Sequence, residues 1–138
     1  MKILPFLPGE HANLLVLLCY ENLSYLSEFE GIQIRKIVRM KREALLCLRF
    51  AVGDNYTKSN SADPLQVLFY MAQNVGTDID NITYRIDQYI AEYMDSKERE
   101  YWLRIPKKGE SPTPAELLAF LYANYNCDIL LLPYGNIY

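Results

Sequence analysis

Apolar residues recur along most of this chain at steps of three and four. That spacing places side chains on one face of an α-helix. Five helices are predicted. The first covers about residues 10–27, with Leu14, Leu15, Leu17, Leu18, Tyr25 and Leu26 in a wide apolar arc broken by Gly31. The second covers about residues 32–52, with Ile34, Ile37, Val38, Ala44, Leu45, Leu48 and Val52 on one side and Gly53 just past its end. Asp63-Pro64 reads as an N-cap followed by proline in the first turn. It opens a third helix through Leu65, Leu68, Phe69 and Ala72, which Gly76 ends. The fourth covers residues 78–103, where Ile79, Ile82, Ile86, Tyr89, Tyr93 and Tyr101 keep the period with one polar interruption. Thr113-Pro114-Ala115-Glu116 is a capping box that starts the fifth, through Leu117, Leu118, Leu121 and Tyr125.

Between these elements the polar stretches 53–63 and 106–114 read as loops. Residues 2–7 and 128–134 read as extended, each with a proline, and the two ends can pair as a minor two-stranded ribbon or lie along the bundle. The expected architecture is an all-α bundle of about five helices, a single domain over residues 1–138.

Composition agrees with a folded domain: 51% of residues are hydrophobic and 22% are charged. The longest apolar runs, Leu14–Tyr20 and Ile129–Tyr134, are far below the ~20 residues of a transmembrane helix. The N-terminal MKILPFLPGEH has no small-residue cleavage site and does not read as a signal peptide. A membrane partner is therefore not expected. Cys19, Cys47 and Cys127 are odd in number, widely spaced and set among apolar residues. They argue against a disulfide framework and for a cytoplasmic location.

Little in the sequence points to catalysis. His11 is the single histidine, and Cys19 lies eight residues on, about 80° around a helix and ~12 Å along it, too far for a direct Cys–His pair. Together His11 and the three cysteines have the composition of a zinc site, but no close C-x₂₋₄-C pair is present. The acidic Asp78-Ile79-Asp80-Asn81 lacks the glycine and distal glutamate of a calcium loop and reads as a helix cap. Lys107-Lys108-Gly109 has the wrong order for a phosphate-binding loop. No enzyme activity, cofactor, metal or small-molecule substrate is inferred.

Charge is distributed unevenly. The chain is acidic overall, with net charge −3 and pI about 5.2. Yet residues 35–58 hold seven basic residues against Glu43 and Asp54. On the second helix Arg35, Arg39, Arg42 and Arg49 share a stripe about 80° wide, which Lys36 flanks. Lys41 falls within the apolar arc and must snorkel or find a carboxylate. The arginine fork fits carboxylates and phosphates alike. The stripe can therefore meet an acidic protein surface or a second copy of the chain, contact a nucleic-acid backbone, or be neutralised internally by Glu21, Glu28 and Glu30.

Twelve tyrosines stand against five phenylalanines and one tryptophan. Tyr89 and Tyr93 continue an apolar stripe and belong to the core. Tyr84 and Tyr122 fall off their helices' stripes and are candidates for an exposed patch, although a lineage bias toward tyrosine accounts for the count equally well. The function these features favour is a non-enzymatic interaction protein: a small regulator, inhibitor or adaptor, with homodimerisation expected. Its candidate contacts are Arg35, Lys36, Arg39, Arg42, Arg49, Tyr84 and Tyr122. The alternative is a nucleic-acid-binding regulator that sets the same arginines on phosphates. The absence of a broad positive field weighs against it.

Overall fold

A computed structural model describes residues 6–53, 56–57 and 62–132 of the chain. These residues form an all-α structure, with no strand among them. The helices are α1 (Gly9–Leu18), α2 (Leu23–Glu30), α3 (Ile34–Val52), α4 (Pro64–Val75), α5 (Ile79–Met94), the short α6 (Arg99–Trp102) and α7 (Pro114–Leu130).

The local stop and start signals act as their chemistry predicts. Gly31 and Gly76 close α2 and α4 in the left-handed conformation, with φ of 68° and 84°, a region that favours glycine. Asp63 and Asp78 cap α4 and α5 by accepting backbone N–H groups of Leu65 and Asn81 at 3.1 and 2.8 Å. The capping box of α7 is closed both ways. Thr113 Oγ1 accepts from the Glu116 N–H at 3.2 Å, and Glu116 Oε1 accepts from the Thr113 N–H at 2.9 Å. The Thr113 N–H, and the Lys108 N–H that reaches Oε2 at 2.9 Å, hold the Glu116 carboxyl below its ordinary pKa.

Two predicted helices are each divided. The first stops at Leu18, and a new helix begins after Asn22, whose side chain accepts from the Tyr25 N–H at 2.8 Å. An internal asparagine thus acts as a cap where continuous periodicity suggested one rod. The fourth is interrupted between Met94 and Arg99, where Ser96 Oγ bonds back to the Tyr93 carbonyl at 2.7 Å. The C-terminal expectation also changes. Residues 128–130, read as extended, belong to α7, and Leu131 and Leu132 make a turn. The remainder of the suggested ribbon, residues 2–5 and 133–134, lies outside the described residues.

α1 sits at the centre. Every residue from His11 to Leu17 is buried, and the helix packs against α2, α3, α5 and α6. Its crossing with α5 is close: a Cβ on Gly9 would stand 2.9 Å from Tyr89 Cβ. Trp102 is fully buried, stacks on Tyr93 with centroids 5.1 Å apart, and donates its indole N–H to Asn13 Oδ1 at 2.8 Å. One hydrophobic cluster joins side chains from all seven helices. None of these helices is long and apolar enough to cross a membrane.

Candidate functional site

His11, in the first turn of α1, is buried and faces Glu43 of α3 at 3.3 Å. Cys47 lies wholly within the core, where burial pushes its thiol up to about 12. Cys19 donates to the Leu15 carbonyl at 3.3 Å, and burial raises its thiol as well. A protonated thiol is a poor nucleophile. Among the described residues no group of three or more His, Cys, Asp and Glu side chains is placed to hold a metal ion.

The basic segment has a more specific arrangement. α3 is two different surfaces in series. From Ala44 to Arg49 every residue is buried in the packing of α3 with its neighbours α1, α2, α4 and α7. From Ile34 to Lys36, and again at Val38, Arg39 and Arg42, the helix faces solvent, while Ile37 and Met40 hold it to the core. This corrects the stripe at one end. Arg49 keeps its angular position but is 8% exposed, about 10 Å further along the axis than Arg42, and its guanidinium donates to the Gly53 carbonyl. It belongs to the interior. Lys41 finds an aromatic face, its Nζ 6.0 Å from the centre of Tyr125.

Arg35, Lys36, Arg39 and Arg42 make no ion pair or side-chain hydrogen bond among the described residues. Two of the three carboxylates that sequence suggested as internal partners are differently used, and Glu28 is exposed on α2. Glu21 accepts from the Tyr101 hydroxyl at 2.9 Å. Glu30 accepts from Asn13 at 3.1 Å and lies 3.7 Å from Lys97. Cations elsewhere are engaged: Arg85 lies over Phe6, Arg104 over Tyr20 and Tyr101, Arg99 donates to the Met94 carbonyl, and Lys107 to that of Leu103. The uncompensated positive charge is thus concentrated on the first two turns of α3. Beside it, Ile34 and Val38 are 43% and 49% exposed. Both were expected on the core side. They fall at the edge of the apolar arc, and no neighbouring helix reaches that edge.

The tyrosine assignments divide. Tyr122 is a correction: it is buried, 4% exposed, and its hydroxyl donates to the Leu48 carbonyl at 2.6 Å. Tyr84 is 60% exposed, on α5, which packs mainly against α1, α4, α6 and α7. It is not brought to the arginines. It stands one turn beyond Asp80, and Asp80 lines a groove between α4 and α5.

Periodicity did not reveal that groove. It is a cavity of about 460 Å³ lined by Phe69, Ala72, Ile79 and Gln73, with Asp78 and Asp80 at the start of α5. Phe69 is 45% exposed there, and Leu65, one turn earlier on α4, is 63% exposed. α4 carries no charged residue from Pro64 to Val75; Gln66, Gln73 and Asn74 mark its outward side, and Leu65 and Phe69 fall at the edge of the apolar arc beside them. Comparisons with protein-family models, curated proteins and solved structures give no match for this chain.

Proposed function

We propose that the chain is a non-enzymatic interaction protein, a small regulator, inhibitor or adaptor, that binds an acidic macromolecular surface through the first two turns of α3. One observation carries this reading: Arg35, Lys36, Arg39 and Arg42 lie together, exposed and without anionic partners among the described residues. Such a face steers and orients a partner of opposite charge. The exposed Ile34 and Val38 beside the arginines favour a protein surface over a nucleic-acid backbone, since phosphates offer aliphatic side chains nothing to bury against. The three free cysteines, one of them exposed, support a reducing compartment such as the cytoplasm.

The test is charge reversal. A variant carrying Arg35→Glu, Arg39→Glu and Arg42→Glu should keep its helical circular-dichroism spectrum, because none of these side chains holds the core together. It should lose partners captured from lysate by the wild type at low salt. Unchanged capture would remove α3 as the binding face. Tight, steeply salt-dependent binding to duplex or single-stranded nucleic acid would establish the alternative instead.

A further inference from the structure

The α4–α5 groove is the second surface left uncovered, and its character is the complement of α3's. Its wall is apolar, from Phe69, Ala72 and Ile79, and the exposed Leu65 lies one turn before Phe69 on α4. Its end is acidic, from Asp78 and Asp80. Residues 62–84 contain these two aspartates and Asp63 and no basic residue. The exposed turns of α3 present the opposite arrangement: an aliphatic pair at i and i+4, Ile34 and Val38, beside Arg35, Arg39 and Arg42. Both faces are open within one molecule, so they do not cover each other.

We propose that the α4–α5 groove is the docking site for the α3 face of a second copy of the chain. Ile34 and Val38 pack against Leu65 and Phe69, and the arginines meet Asp78 and Asp80. In a two-fold pair the contact is made twice, since each copy supplies one α3 and one groove. The assignment rests on the reading of α3 as a binding face and names one occupant for it. A macromolecular partner on α3 then competes with self-association.

Sedimentation and light scattering on three proteins test this. Wild type at about 100 µM and low salt should be dimeric, and about 1 M salt, where the Debye length falls to about 3 Å, should weaken the dimer at least tenfold. A groove variant, Phe69→Ser with Asp80→Lys, and the α3 triple reversal should each be monomeric with wild-type helical spectra. Mixed one to one, they can form only a contact in which the intact α3 of the first meets the intact groove of the second, and a heterodimer should appear. Monomeric wild type under these conditions, or a groove variant that dimerises like wild type, would overturn the proposal. The α3 reading is judged separately. Partner capture lost on the triple reversal with a monomeric wild type leaves it standing alone, whereas a reversal that alters neither capture nor oligomeric state removes both.

Discussion

Gly9 illustrates how much a single position carries. It lies at the first residue of α1, where alanine is intrinsically better than glycine by up to about 1 kcal/mol. Tertiary contact reverses that preference, because the added methyl would stand 2.9 Å from the Cβ of buried Tyr89, an atom near the backbone that cannot swing aside. Gly9→Ala is expected to destabilise the fold by about 1–3 kcal/mol, the usual cost of overpacking, as read by chemical denaturation. A stabilised variant would show that α1 and α5 do not approach this closely. Arg49 and Tyr122 teach the same lesson from the other side. Both are polar and both fall off the apolar stripe of their own helix, so periodicity puts them outside. Each is buried because its polar tip reaches a main-chain carbonyl, of Gly53 and of Leu48. An acceptor on another segment, or past the helix end, has no signature at the position that uses it.

At the scale of elements, the ends of helices were legible and their interruptions were not. Gly31, Gly76, Asp63 and the Thr113–Glu116 box act within a few residues of themselves, so local chemistry suffices. The break between α1 and α2 is also local, yet periodic leucines on both sides hid it. Asn22→Ala removes the side chain that accepts the Tyr25 N–H and should cost about 0.5–2 kcal/mol, measured as a shift in the denaturation midpoint. No change would mean that packing of Leu26 alone sets the start of α2. On α3 the arginine stripe was correctly placed in angle and misjudged in length. Helical geometry is uniform along the axis, but burial is not: Ala44 to Arg49 are all buried, while the first half of α3 buries only Ile37 and Met40.

For the molecule as a whole, one polar cluster ties distant parts together. Glu30 at the end of α2 meets Asn13 of α1, Lys97 before α6 and the buried Glu98. Burial first, and then the neighbouring Glu98, raise the Glu30 carboxyl above its ordinary value of 4.5. A raised folded-state pKa means that the folded form holds the proton more tightly. The stabilisation is therefore complete below the unfolded pKa and is lost as pH rises through the folded one. Relative to wild type, Glu30→Gln should become progressively more stable as pH rises from about 4.5 toward neutrality. Denaturation curves across that range decide it, and parallel wild-type and variant profiles would show that Glu30 does not titrate in this window.

By itself the sequence determined the all-α class, the helix caps and glycine ends, and the gathering of positive charge on one helix. Each of these depends on residues within a turn or two of one another. Only the tertiary structure decided which surfaces stay open. Ile34, Val38, Leu65 and Phe69 obey the same apolar periodicity as the residues buried beside them, and they face solvent because none of the described helices covers them. Burial belongs to pairs of elements, and the partner of a given face is set by how the whole chain packs, not by the spacing within that face.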